Sequence, residues 1–247
     1  MFPIRDHNPS GRRPYVTYAL MAVNVAVFLS YVSLMADPRA ITVFYNSWAL
    51  IPARIGQGHG FEGLLTSMFL HGGWMHLLGN MLFLWIFGDN IEDEMGHLRY
   101  LLFYLACGVI AGLTQVALEP GSQVPMVGAS GAIAGVMGAY LLLFPKAKVD
   151  ILIIFVVFFR IFPIPAWIML ALWFGAQFLG GLAAEANQGG VAYWAHTGGF
   201  IAGIAFALPL WLRRGALAFW ARNEGHPPHP AAKYPALNSR IPKVRRR

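Results

Sequence analysis

Among the polar side chains set within or at the edges of the long apolar stretches of this chain are His76, Asn80, Gln115, Ser130, Gln177 and His196. Polar groups in such places are costly in lipid and normally face a protein interior, which makes each a functional candidate. His76 and Asn80, in "HGGWMHLLGNMLFLWIFG", are four apart and therefore stack on one helical face. Both can donate hydrogen bonds to one point, which suits a negatively charged oxygen. The same pair would also serve as a polar clamp between helices. Ser130 lies in "PMVGASGAIAGVMGAYLLLF", where Ser130, Ala134 and Gly138 form a small-residue stripe. In "AHTGGFIAG", His196, Gly199 and Gly203 form a second one. Such stripes let two helices approach closely, and if these two meet, His196 projects towards Ser130. Glycine-rich faces can also simply pack, with the serine bonding its own helix.

A neutral histidine can take a serine proton and so make the hydroxyl nucleophilic. A serine near a helix start also has free backbone N–H groups and the positive end of the helix dipole beside it, which favour a developing oxyanion. No Asp or Glu lies within an apolar span, so a catalytic unit here would be a Ser–His dyad. Residue 132 is Ala, so the G-x-S-x-G elbow is absent. No H-E-x-x-H string occurs, and no pair of buried carboxylates is available, which leaves serine chemistry with no metal and no cofactor.

The elements that must position these groups are membrane helices. Of 247 residues, 57% are hydrophobic and only 12% charged, with mean hydropathy +0.54, against about a quarter charged in a soluble domain. Apolar runs predict six spans, at about Tyr15 to Met35, Trp74 to Gly88, Leu98 to Leu118, Met126 to Phe144, Pro165 to Leu182 and Tyr193 to Leu212. The expectation is an all-α six-helix bundle, with residues 1–14 a short cytoplasmic N-terminus and 15–212 the helical domain. Asp150 to Phe162 is broken by Arg160 and Pro163 and reads as interfacial, or as an approach to the fifth span; a seventh span is the alternative. With the N-terminus inside, the inner connections and ends hold sixteen Lys and Arg, and the outer side holds only Arg39 and Arg54. That bias puts both termini in the cytoplasm. Aromatic residues in the connection from Ala36 to Gly73 predict an element in the outer interface.

The net charge of +7 is concentrated at the C-terminus, where residues 213–247 carry nine Lys and Arg against Glu224 alone. This predicts a Pro-rich, disordered basic cytoplasmic tail beside membrane lipids, or a solvated topogenic tail with no specific ligand, and no nucleic-acid partner. Cys107 stands alone, so an internal disulfide is excluded. The first span lacks a cleavage site and reads as retained; its short leader, with Asp6, favours a bacterial inner membrane over an organelle.

These strings resemble the rhomboid intramembrane serine proteases, of the bacterial type. The resemblance rests on residues 65–96, on "GASGAIAGVMG" and on "AHTGGFIAG", in that order. It implies Ser130 as nucleophile and His196 as general base and then acid. The Ser130 backbone N–H, His76 and Asn80 would form the oxyanion hole. His71 would be structural or water-holding, Gly128 and Gly131 structural positions around the serine, and Glu92 a hydrogen-bonding feature after the second span. Gly199 and Gly203 would form the close contact of the fourth and sixth helices. Phe174 and Phe178 would stand at a substrate gate near the second and fifth helices, or serve equally as aromatic lipid anchors. The implied substrates are transmembrane segments of single-pass proteins, cut near the outer face. The chain departs from the family pattern at Ala134, where some members stack an aromatic on the catalytic histidine. It departs again at Glu62-Gly63, where many have Trp-Arg. A non-catalytic rhomboid-like client-binding protein and a small transporter are the rival readings.

Overall fold

The computed structural model describes residues 2–155, 158–184, 190–227 and 232. Strand β1 (Phe2–Asp6) leads into α1 (Tyr15–Tyr31). The following connection contains three helices, α2 (Pro38–Trp48), α3 (Pro52–Gly56) and α4 (Gly63–Thr66), so it is a folded element. Asp37 opens α2 by accepting the N–H groups of Arg39 and Ala40. The bundle continues with α5 (Trp74–Met95), α6 (His97–Leu118), α7 (Ser130–Leu143), α8 (Ala166–Ala183) and α9 (Tyr193–Arg213), followed by α10 (Leu217–Asn223).

Among the described residues, four helical stretches are long and apolar enough to cross a membrane: Tyr15–Ala36, His97–Leu118, Ala166–Ala183 and Tyr193–Arg213. Helix α7 has 14 residues, and α5 ends in the acidic run Asp89, Glu92, Asp93 and Glu94. Gly96, at φ +77°, breaks the chain sharply between α5 and α6.

The fold is not all-α. Strands β2 (Lys148–Phe155) and β3 (Phe158–Pro165) form an antiparallel hairpin, and β1 pairs with β2, giving the order β1-β2-β3. The seventh-span alternative for Asp150 to Phe162 is therefore overturned, while β3 does lead directly into α8 at Ala166. The β-branched and aromatic residues of this stretch favour strands. Pro163 and Pro165 would break a helix but are tolerated in β3 because it is an edge strand. Inside the sheet the Asp150 carboxylate accepts Arg5 Nε at 2.6 Å and lies 2.8 Å from His7 Nε2. Burial pushes the Asp150 carboxyl up, but His7 and Arg5 outweigh it and hold it below the usual range. The basic segment from 213 also begins with structure. In α10, Phe219 is buried and Trp220 Nε1 donates to the Leu142 carbonyl at 3.1 Å. Most of the tail beyond 227 lies outside the described residues.

Helix α7 forms the axis of the core, with 11 of its 14 residues buried. A Cβ added to Gly199 would collide with the Gly131 carbonyl, and one on Gly203 with that of Gly135. The α7 seam is thus Gly131, Gly135 and Gly138: it keeps Gly138 of the expected stripe of Ser130, Ala134 and Gly138 and moves one position along at the other two. That shift leaves the Ser130 side chain beside the seam and not within it. Glu92 ties three helices together. Its carboxylate accepts the N–H groups of Val16 and Thr17 at 2.8 Å each and the Thr17 hydroxyl at 2.7 Å, and it lies 2.6 Å from His97 Nδ1. Pro14 provides no side-chain cap for α1, so Glu92 satisfies those end amides from a neighbouring helix.

Candidate active site

Ser130 is the first residue of α7, and the first intrahelical bond shown there runs from Ile133 N–H to the Ala129 carbonyl. The amides of Ser130, Gly131 and Ala132 therefore have no acceptor within the helix and point out of its N-terminal end. From α9, His196 reaches across the glycine seam, and its Nε2 lies 2.7 Å from Ser130 Oγ. Its Nδ1 lies 2.7 Å from Gln177 Oε1 on α8. An amide oxygen can only accept, so this bond puts the ring proton on Nδ1 and leaves the Nε2 lone pair facing the serine hydroxyl. The Trp173 ring covers the same imidazole, with centroids 5.6 Å apart and a 34° tilt. Ala134 is fully buried in the α7 core. The His196 ring is supported instead by Trp173 and Gln177, one α8 turn apart.

Gln115 on α6 makes a second such contact: its Oε1 accepts the Ala195 N–H at 3.1 Å, capping the start of α9 next to His196. Both glutamines stood out in the sequence as polar groups in apolar spans. Neither had a role there, because their partners lie 19 and 80 residues away in the chain.

His76 lies on the opposite side of the serine. The Gly72 N–H donates to its Nδ1 at 3.2 Å, which leaves the proton on Nε2. A Cβ on Gly128 would lie 2.8 Å from that Nε2 and 3.4 Å from Ser130 Oγ, and the residue has φ +132°. Glycine is thus needed at 128 both for its backbone conformation and for the approach of the imidazole. Asn80 is 6% exposed and donates one N–H to the His76 carbonyl at 2.9 Å, keeping a second donor hydrogen. His71 is fully buried, with its ring 5.2 Å from that of His76. Its carbonyl accepts the hydroxyls of Tyr31 and Tyr45 at 2.9 and 3.0 Å, while neither ring nitrogen has a protein partner.

Ser130, His196, His76, Asn80 and Gly128 line one cavity of about 480 Å³, walled by Phe83 of α5 and by Trp173 of α8, among others. Glu92 and the glycine pair 199 and 203 lie away from it and act through helix packing. Phe174 and Phe178 pack on α9, Phe174 tilted against Phe200 at a centroid distance of 4.8 Å and Phe178 edge-on to Trp194 at 5.9 Å. Among the described residues no group of three or more His, Cys, Asp or Glu could hold a metal ion. The arrangement can transfer a proton from a serine to an imidazole of fixed tautomer, beside N–H donors aimed at the same space.

Residues 59–213 match the rhomboid domain. The chain is 29% identical to Rhomboid protein 1, mitochondrial, of Saccharomyces cerevisiae over 77% of its own length and 52% of that protein. It is 33% identical to Rhomboid protease GluP of Bacillus subtilis over 52% of this chain and 24% of the relative. With Putative rhomboid protease YdcA of the same organism the identity is 41%, over 32% of this chain and 39% of the relative. The chain spans about half, or less, of the length of these curated relatives. The domain match takes in most of the helices that build the cavity, and this chain is a membrane protein of the rhomboid family.

Proposed function

We propose that the chain is an intramembrane serine endopeptidase that cleaves transmembrane segments of single-pass proteins near the outer face, using Ser130 and His196 and no cofactor. The observation that carries this reading is the 2.7 Å contact of Ser130 Oγ with His196 Nε2, with Nδ1 held by Gln177. In the first step Ser130 Oγ attacks the scissile carbonyl carbon while His196 Nε2 takes the hydroxyl proton. Negative charge gathers on the carbonyl oxygen, where the Ser130 N–H, His76 Nε2–H and Asn80 are placed to receive it. His196 then gives its proton to the departing amine, and a water molecule activated by the same nitrogen releases the acyl group. His71, buried and outside the cavity lining, packs edge-on against the His76 ring and acts in this reading as a structural support for it.

In this reading α1, α5, α6, α7, α8 and α9 all cross the bilayer and the sheet lies on the cytoplasmic side, in keeping with the Lys and Arg bias. The cavity is walled by α5 and α8, and that side is the proposed entry for a substrate helix. A bacterial inner membrane remains the proposed location.

The test uses purified full-length protein, a panel of single-span substrates and a fluorophosphonate probe. Wild type should cleave and become labelled at Ser130. Ser130→Ala and His196→Ala should each lose at least about a thousandfold in rate while keeping the wild-type melting temperature. Wild-type-level cleavage by either mutant would falsify the dyad. An unlabelled, inactive wild type that retains client helices would favour the non-catalytic reading.

A further inference from the structure

The helix ends opposite the catalytic cavity carry a second concavity, of about 350 Å³, between α6 and α9. Its α6 wall is Arg99, Leu102, Phe103 and Ala106; its α9 wall is Phe206, Pro209, Leu210 and Arg213. Each set follows the spacing i, i+3, i+4, i+7, so each is one continuous helical face. The helices run antiparallel, and the two faces place their arginines at the same end. Below them, both walls are apolar for roughly 10 Å, seven residues at about 1.5 Å each. Glu94 and Met95 of α5 also line the concavity, and the Glu94 carboxylate is engaged by Arg214. Among the described residues no ion pair is formed by Arg99 or Arg213.

Two cations at the mouth of an apolar groove on a membrane protein match one kind of occupant. We propose that this groove binds an anionic phospholipid, with its phosphate between Arg99 and Arg213 and the upper part of an acyl chain along Leu102, Phe103, Phe206 and Leu210. Charge complementarity selects the headgroup, because guanidinium groups hold phosphate oxygens in bidentate geometry and basic pockets between helices favour anionic lipid. The amides at the start of α6, beside Arg99, add donors of the same sense. Pro209 has no N–H and so leaves a gap in the backbone bonding of α9 at the level of the groove. The proposal rests on membrane embedding and is independent of the catalytic reading.

The test is native mass spectrometry of the full-length chain in detergent, titrated with dioleoyl-phosphatidylglycerol or dioleoyl-phosphatidylcholine. Wild type should retain the anionic lipid with roughly ten- to thirtyfold preference. Arg99→Gln/Arg213→Gln should abolish that preference. Ala106→Phe, which fills the groove and keeps both cations, should weaken retention of the same lipid. Arg12→Gln/Arg160→Gln, a charge-matched control away from the groove, should behave as wild type. Phosphatidylglycerol should raise the melting temperature of wild type, and millimolar inorganic phosphate should not. Equal retention of the two lipids by wild type would overturn the proposal, as would an equal loss in the charge-matched control or a thermal shift given fully by phosphate.

Discussion

The imidazole of His196 is held on three sides: Ser130 at Nε2, Gln177 at Nδ1 and the Trp173 ring alongside. In the proposed mechanism Gln177 acts through His196 as a positioning residue, because its amide oxygen selects the tautomer that can accept the serine proton. Replacing it by Leu leaves a donor unpaired and lets the ring choose either tautomer. Losing such a bond is worth about 1–2 kcal/mol, so Gln177→Leu should lower kcat about tenfold with KM nearly unchanged. Gln177→Glu, which keeps an acceptor at the same reach, should retain most of the turnover. A variant series in which Leu and Glu behave alike would show that the amide merely fills space. The Ser130 and His196 pairing was legible in the sequence because two small-residue stripes announce a close helix crossing. The supports of the base were not, since a lone glutamine in an apolar span does not reveal which helix it will face.

At the scale of elements, the α7–α9 crossing sets the reach between nucleophile and base. A Cβ on Gly203 would enter the Gly135 backbone, and backbone cannot move aside as a flexible side chain can. Gly203→Val should therefore separate the helices, costing about 3 kcal/mol or more by overpacking. It should remove activity even in protein that remains folded, as seen by a lowered melting temperature together with lost fluorophosphonate labelling. Unchanged labelling would mean that the seam tolerates a wider spacing. The stripe on α9 could be read from spacing alone, whereas its α7 counterpart was offset by one residue, because small residues at 130, 131, 134 and 135 offer two adjacent faces. The sheet was missed for a related reason. A run such as "VDILIIFVVFFRIFPIP" is apolar enough for lipid, and what makes it strand is its pairing back on itself as β2 and β3, with the distant Phe2–Asp6 segment added along β2.

At the scale of the whole molecule, the sheet is fastened to the bundle through a partly buried acid. The Tyr140 hydroxyl donates to Asp6 Oδ2 at 2.7 Å, and Asn8 Nδ2 lies 3.5 Å from the same hydroxyl. Burial pushes the Asp6 carboxyl up to about 8, with the bond from Tyr140 opposing and nearby Asp89 adding to the rise. The folded form thus holds a proton that the unfolded chain releases above its ordinary value of 3.8. Its contribution to stability is full below that value and is lost as pH rises towards 8, by at most about 1.4 kcal/mol per pH unit. Asp6→Asn should flatten the decline of melting temperature between pH 5 and pH 8. An identical slope in the variant would remove Asp6 as its source. Helix α7, which carries Tyr140 at one end and Ser130 at the other, has no exposed residue. In the proposed membrane embedding, a helix so enclosed by its neighbours need not match the thickness of the bilayer, about 30 Å of hydrocarbon. Fourteen residues give only about 21 Å, so the neighbouring helices, and not the membrane, fix how deep the hydroxyl is set.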